Sequence, residues 1–124
     1  MAKGDLGNLI KNERKKKFNK ASNFAKELGI SSAHVSDIEK GNRLPSKQLM
    51  KKIINIIQSE EVTEETFYDY LAKESNEGKK IPIDVQEYMI ENCNLQNLIR
   101  IAKRKNVSNT FWIKVEKELN NKGE

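Results

Sequence analysis

The 124-residue sequence contains few of the residues that define several protein classes. It has one cysteine, two prolines and six glycines, and no run approaches the ~18 apolar residues of a membrane-spanning helix. Cys93 has no partner for an internal disulfide, and with the single histidine, His34, it cannot make a Cys/His zinc site. The N-terminus also lacks an apolar stretch of signal-peptide length. We expect a cytoplasmic protein that has no membrane partner, no metal and no cofactor.

Residues for catalysis are equally scarce. The sequence offers no paired catalytic carboxylates, no glycine-rich loop that could cradle a phosphate and no metal cluster. A nucleophilic pair of Cys93 and His34 is formally available, but nothing else around either residue suggests nucleophilic chemistry. We therefore expect no catalytic residue and a protein that is not an enzyme.

Charge is distributed unevenly along the chain, although the total is only +5. Residues 1–58 contain 13 lysine and arginine residues and 5 acidic residues, a net charge of +8, whereas residues 59–124 carry a net charge of −3. The first half is thus a candidate for contact with a polyanion. The basic cluster at 14–17 is either part of that contact surface or a solvated end of a helix.

Apolar spacing in the first half predicts four short helices. The first covers about residues 5–17, and the second carries one buried stripe and ends at Gly29. Ser31 is expected to cap a third helix over about residues 32–40, and Ser46 to cap a fourth. The apolar residues expected to pack together are Leu6, Leu9, Ile10, Ala21, Phe24, Ala25, Leu28, Ile30, Val35, Ile38, Leu49, Met50, Ile53, Ile56 and Ile57.

The second half, which begins near residue 59, also has helical patterning. Thr63 and Ser108 can each cap a helix, Asp84 and Glu87 have the spacing of a capping box, and residues 78–82 indicate a linker. The apolar stripes here comprise Phe67, Tyr70, Leu71, Val85, Tyr88, Met89, Leu95, Leu98, Ile99, Ala102, Phe111, Trp112, Val115 and Leu119. Since no segment alternates with a period of two, we expect an all-α fold without a sheet.

Two short helices meet at Gly29 within residues 24–41. The small Ala25 lies where these helices would cross closely, and Val35 and Ile38 would fasten the second helix to the core. The opposite face of that helix carries side chains that are short or polar: Ser32, Ala33, Ser36, Asp37 and Lys40. Such a face suits insertion into the major groove of DNA, where side chains must reach base edges without bulk.

The segment 24–46 resembles the Cro/repressor-type (XRE-like) helix-turn-helix family. The family pattern is roughly L-A-x-x-L-G-I-S-x-x-x-[IV]-S-x-[IL]-E-x-G-x-R-x-P-S. The corresponding residues here are Phe24, Ala25, Leu28, Gly29, Ile30, Ser31, Val35, Ser36, Ile38, Glu39, Gly41, Arg43, Pro45 and Ser46. The resemblance covers about residues 6–58. It implies a repressor-like bundle of four or five helices there, a smaller helical region over 59–124, and sequence-specific binding of double-stranded DNA in transcription regulation.

The resemblance also implies roles for individual residues. The residues expected to face the bases are Ser32, Ala33, His34, Ser36 and Asp37. The residues expected to contact phosphates are Lys20, Lys40, Asn42, Arg43 and Lys47. Arg14 and Glu39 match positions that often form an ion pair inside the domain. The chain departs from the family at Lys20 and Ala21, where members often have Ser or Thr followed by a backbone-contacting Gln.

A two-fold dimer of such domains places two recognition helices about 34 Å apart and reads a near-palindrome. We expect a homodimeric repressor in which residues 59–124 serve dimerisation or partner binding, and in which Phe111 and Trp112 lie in a core or an interface. The tail is also similar to the tails of small XRE-like regulators from mobile elements and toxin–antitoxin-like operons. That likeness implies a regulatory protein partner.

An alternative function is a protein-interaction or antitoxin-like module that retains the helix-turn-helix fold without binding DNA. The carboxylate of Asp37 on the recognition face and the missing Gln favour this alternative. The net charge of +8 in the first half argues against it.

Overall fold

The computed structural model describes residues 4–78 and 80–122. The α-helices in these ranges are α1 (Asp5–Lys15), α2 (Ala21–Leu28), α3 (Ser32–Glu39), α4 (Lys47–Ile57), α5 (Glu64–Glu74), α6 (Ile83–Glu91), α7 (Cys93–Arg104) and α8 (Asn109–Asn120). A short 3-10 turn, Asn76–Gly78, follows α5. No strand occurs within the described ranges, and the predicted all-α class is confirmed. None of the helices in the described ranges is both long and apolar enough to cross a membrane.

Most of the predicted helix starts and stops are confirmed. The side chains of Ser31, Ser46 and Thr63 each accept a hydrogen bond from the backbone amide three residues later, as N-caps do. Ser108 occupies the cap position of α8, but its side chain makes no cap hydrogen bond there. Gly29 ends α2 in the left-handed conformation.

The predicted capping box of Asp84 and Glu87 is wrong. α6 begins at Ile83, so that Asp84 lies within the first helical turn and not at the cap. The amide of Gln86 donates to the Pro82 carbonyl at 3.0 Å, which starts the helical hydrogen-bond ladder before Asp84. A proline fits this place because the start of a helix needs no donor from it.

The first compact unit runs through Gln86 and has a closed apolar core. Its buried apolar residues are Leu6, Ile10, Phe24, Ala25, Leu28, Val35, Ile38, Leu49, Met50, Ile53, Ile57, Phe67, Tyr68, Leu71 and Ala72. α5 supplies the last four and packs against α1 and α4. The boundary predicted after residue 58 falls between α4 and α5, whereas the compact unit of the structure includes α5.

The second compact unit begins at Glu87 and contains α7, α8 and the C-terminal part of α6. None of the described residues in these three helices is buried. The rings of Phe111 and Trp112 make an edge-to-face contact with centroids 5.0 Å apart. The second unit therefore has helices at the predicted places but no closed core.

Candidate nucleic-acid interface

α3 has one buried face and one accessible face. Val35 and Ile38 are only 2% and 3% exposed, and Glu39 at the end of the helix is also buried. The accessible face carries the residues predicted to contact bases: Ser32, Ala33 and Asp37 are exposed, and His34 and Ser36 are half-buried. The helix thus presents the predicted short, polar side chains to solvent while its apolar side chains hold it to the core.

The residues predicted to contact phosphates are also on the surface. Lys40 follows α3 directly, Asn42 and Arg43 lie in the loop after it, and Lys47 begins α4. Lys20 immediately precedes α2. All five side chains are exposed. Four of the five therefore lie in the loop that follows α3 or at the edges of that loop, while Lys20 belongs to a different segment.

The turn between α2 and α3 is built around Gly29. Its φ of +74° is a conformation that side chains other than glycine rarely adopt, and it lets the chain leave α2 sharply. The amide of Ile30 then donates to the Ala25 carbonyl at 3.0 Å, which satisfies one of the last carbonyls of α2. With Ser31 capping α3, the whole turn is fixed by local hydrogen bonds.

The predicted ion pair of Arg14 and Glu39 is confirmed and is bidentate. Arg14 Nε lies 3.0 Å from Glu39 Oε2, and Arg14 Nη2 lies 2.8 Å from Glu39 Oε1. Arg14 Nη1 also donates to the carbonyls of Phe18 and Asn19, both at 3.2 Å. Both charged side chains are nearly inaccessible to water, and the hydrogen bonds to Glu39 raise the pKa of Arg14. The pair ties the last turn of α3 to α1 and to the loop before α2.

A close approach of α1 and α3 was not foreseen from the sequence. A Cβ on Gly7 would lie 2.5 Å from the Ile38 carbonyl oxygen and 2.7 Å from that of Glu39. Gly41 similarly packs against the backbone of Gly4. A Cβ added to Gly41 would lie 2.7 Å from the Gly4 Cα. The available signal was an isolated glycine inside the helical pattern of α1, since such a glycine often marks close packing.

The N-terminus of α1 is capped by a residue from α5. Glu74 Oε1 accepts from the Gly4 amide at 2.9 Å, and Glu74 Oε2 accepts from the Leu6 amide at 2.6 Å. A carboxylate is favourable there because the first amides of a helix lack internal partners and carry partial positive charge. No local pattern could predict this contact, because its partners are 68 and 70 residues apart.

Most side chains of the basic cluster at 14–17 contact other residues of the same chain. Besides Arg14, Lys16 Nζ pairs with Glu13 at 2.8 Å and with Glu61 at 3.2 Å, and Lys17 Nζ donates to the Ile56 carbonyl at 2.8 Å. The hydrogen bond to Glu13 is the main reason that the pKa of Lys16 is raised. These contacts join the end of α1 to the end of α4 and the segment after it, which disfavours this cluster as a DNA-contacting surface.

Metal ligands do not cluster in the described part of the chain. Groups of three or more His, Cys, Asp or Glu side chains that could hold an ion are absent from it. Cys93 is exposed in the second compact unit, and His34 lies on α3 in the first.

Comparison with known proteins places this arrangement in a family. The helix-turn-helix family model matches residues 10–62, which include α2, α3 and α4 and both partners of the buried ion pair. The ImmF control region 10 kDa protein of Bacillus phage phi105 is 41% identical over 76 residues, which cover 54% of this chain and 84% of the phage protein. No solved structure matches. The chain belongs to the Cro/repressor-type (XRE-like) helix-turn-helix family of DNA-binding regulators.

Proposed function

We propose that the protein is a sequence-specific transcriptional repressor that binds a near-palindromic operator in double-stranded DNA as a homodimer. The observation that carries this proposal is the position of α3. Its apolar face is buried, its accessible face is short and polar, and its last turn is held by the Arg14–Glu39 pair and the Gly7 contact. The similarity to a protein named for a phage control region supports a regulatory role.

The base-reading residues in this proposal lie on the accessible face of α3. The proposed set is Ser32, Ala33, His34, Ser36 and Asp37. A serine hydroxyl can donate or accept at a base edge, the Ala33 methyl can contact a thymine methyl, and Asp37 can accept from a cytosine amino group. Asp37 is exposed, so its carboxylate is hydrated in the free protein. It can contact a base only where a hydrogen-bond donor of that base replaces the water that the carboxylate loses.

The proposed phosphate contacts flank that face. They come from Lys20, Lys40, Asn42, Arg43 and Lys47. Contacts of this kind fix the register of a protein on the duplex without reading the bases. Two copies related by a two-fold axis would then place two α3 helices in successive major grooves, about one DNA turn apart.

The first experiment is selection of bound DNA from a random pool, followed by anisotropy titrations of the selected site. We expect a near-palindrome with half-sites about 10 base pairs apart. Affinity should fall steeply between about 50 and 200 mM salt, because phosphate contacts release counterions. The absence of both sequence preference and salt dependence would refute the proposal.

Two substitutions separate base reading from phosphate contact. Asp37→Ala should relax preference at one base pair, where discrimination of about 1–3 kcal/mol is lost. Arg43→Ala should weaken binding to all sequences alike and reduce the salt slope by about 1. Lys73→Ala is the matched control, since Lys73 is equally exposed but lies on α5.

The charge-reversed variant Lys40→Glu/Arg43→Glu tests whether the residues at the end of α3 belong to the DNA-binding face. Both residues are exposed at or just after the end of α3, and reversing their charge should abolish operator binding. If the selected DNA still bound this variant as tightly as it binds the unmodified protein, the assigned DNA-binding face would be wrong.

A further inference from the structure

A cavity of about 230 Å³ lies in the first compact unit, next to the start of α4. It is bounded by the first residues of α4, by α5 and by the segment that leads into α6. Its volume is below the roughly 300–1,000 Å³ of sites that hold drug-sized ligands. The cavity therefore suits a smaller molecule, and the groups that line it indicate which chemistry that molecule would have.

The floor of the cavity is apolar. Tyr68 and Leu71 of α5 line it and are only 3% and 7% exposed. Ile83 at the start of α6 forms another wall and packs half-buried against the same core. The side-chain amide of Gln86 donates to the Ile81 carbonyl, which fixes the segment between them. These walls are held by core contacts and a hydrogen bond, and they would cover the apolar body of a ligand.

The rim of the cavity is polar and cationic. Ser46, Lys47 and Lys80 line it with exposed side chains, and no carboxylate lines it among the described residues. The Ser46 hydroxyl accepts the cap hydrogen bond from the Leu49 amide at 3.2 Å, so that its O–H can still donate to an anion. A cleft with charges of one sign and apolar walls concentrates ions of the opposite sign. The rim therefore favours a negatively charged group.

We infer that this cavity binds a small organic carboxylate, whose charged end contacts Lys47 and Lys80 and whose short apolar body covers the floor, and that the bound carboxylate weakens DNA binding by occupying Lys47. A carboxylate with an apolar body uses both parts of the cavity, whereas inorganic phosphate would leave the floor uncovered. The weakening of DNA binding rests on the proposed function, in which Lys47 contacts a phosphate. The binding site itself does not rest on it.

The place of Lys47 in the chain explains why the two ligands would compete. Lys47 begins α4, just after the loop that carries Asn42 and Arg43, and it also lines the cavity. One ammonium group would then serve both a DNA phosphate and the carboxylate. Coupling between two ligands is reciprocal, so the factor by which the carboxylate weakens DNA binding is also the factor by which DNA weakens carboxylate binding.

The binding experiment uses the full chain without DNA and octanoate as the probe. Backbone amide NMR shifts are followed as octanoate is added, with sodium acetate holding the ionic strength constant. We expect saturable shifts at the amides of Leu71, Ala72 and Ile83, with a dissociation constant of about 1 mM or tighter. Octylammonium carries the same apolar tail with the opposite charge, and acetate carries the charge without the tail. Neither control should produce these shifts at the same concentrations.

Two variants test the rim and the floor separately. Lys80→Gln removes an exposed charge and should raise the octanoate dissociation constant about fivefold. Ala72→Met should fill the cavity and abolish octanoate binding, because Ala72 lines it and is only 7% exposed. Lys73→Gln is the matched control, since Lys73 is exposed on α5 but does not line the cavity. If Ala72→Met failed to fold, Lys80→Gln would still decide, because its site is on the surface.

The competition is measured with the operator obtained by selection. Saturating octanoate should weaken operator binding at least about threefold relative to acetate at equal ionic strength, and should not do so in Ala72→Met. Unchanged operator affinity in the unmodified protein would overturn the competition for Lys47.

Three results would overturn the site: no saturable shift at the cavity, shifts confined to the exposed apolar residues of α7 and α8, or equal responses to octanoate and octylammonium. These measurements contain no DNA. A protein that binds octanoate as expected but has no DNA sequence preference would therefore support the site and overturn the repressor proposal alone.

Discussion

Phe24 and Phe67 in the first unit are each 1% exposed, whereas Phe111 in the second unit is 46% exposed. The first unit closes its core with apolar residues from all five of its first helices, and polar side chains join helix ends that are distant in sequence. The second unit has amphipathic helices of similar length but no closed core. The comparison separates helix formation, which needs only local pattern, from core closure, which needs enough apolar partners.

The largest effect is expected for Arg14→Ala. Removing the guanidinium leaves the buried carboxylate of Glu39 without its ion-pair partner, which costs about 3–5 kcal/mol in the free energy of unfolding. Urea unfolding followed by circular dichroism measures the loss. Lys16→Ala is the control and should cost far less, because Lys16 is half exposed and its pairs are screened by water.

The same variant tests whether the structure of the second unit depends on the core of the first. Since Arg14 acts inside the first core, and Trp112, the single tryptophan, lies on α8, Arg14→Ala should leave the emission of Trp112 in the absence of urea unchanged. A parallel change in that emission would mean that the second unit depends on the first for its structure, and the comparison would fail.

Gly7→Ala should have the second largest effect. Alanine normally favours a helix over glycine by about 1 kcal/mol, but here its methyl would meet the carbonyl oxygens at the end of α3. We expect a net destabilisation of about 1–3 kcal/mol and weaker operator binding, because α3 must shift to make room. The matched control is Asn8→Ala, at an exposed position of the same helix. A stabilised Gly7→Ala protein would show that α1 and α3 can separate freely.

Glu74→Ala tests whether α5 belongs to the first unit. The substitution removes both hydrogen bonds that cap α1, with an expected cost of about 0.5–2 kcal/mol and faster hydrogen exchange at the Leu6 amide. Glu27→Ala, which removes an exposed carboxylate from α2, provides the comparison. Unchanged stability and exchange in Glu74→Ala would show that the two hydrogen bonds to α1 do not hold α5 in place.

Features set by local pattern could be predicted from the sequence. The caps at Ser31, Ser46 and Thr63 and the stop at Gly29 depend on residues within one turn, and the structure confirms them. The Arg14–Glu39 pair was foreseen only through the family resemblance, since nothing local links two residues 25 positions apart. The roles proposed for Ser32 and the other recognition residues stay predictions, although their accessibility agrees with those roles.

Features set by tertiary contact could not be predicted. The family resemblance covers about residues 6–58, which suggested a boundary after residue 58, but Phe67 and Leu71 are buried with the first helices. Burial depends on which apolar stripes meet in space, and a motif that ends at residue 58 carries no information about that. The carboxylate of Glu74 was overlooked for the same reason, because a cap formed by another helix leaves no sequence pattern beside the helix it caps.

The smallest effect concerns the contact between Ser59 and Glu13, where Ser59 Oγ donates to Glu13 Oε1 at 2.5 Å. Burial raises the pKa of Glu13, but hydrogen bonds from Lys16 and Ser59 outweigh it and hold the pKa below its ordinary value of 4.5. A lowered folded-state pKa contributes stability that is present above the unfolded-state pKa. That stability is lost as the pH falls through the folded-state pKa.

Ser59→Ala removes one of the two donors that lower this pKa. We expect a loss of about 0.5–1.5 kcal/mol near neutral pH that shrinks in acid, because a protonated Glu13 gains less from the hydroxyl. Urea unfolding measured at several pH values above and below 4.5 gives the two curves to compare. Ser46→Ala is the control, since its cap bond to the Leu49 amide involves no carboxylate and its cost should not follow the titration. If the two serine variants had the same pH dependence, Glu13 would not be the group that couples the end of α1 to residue 59.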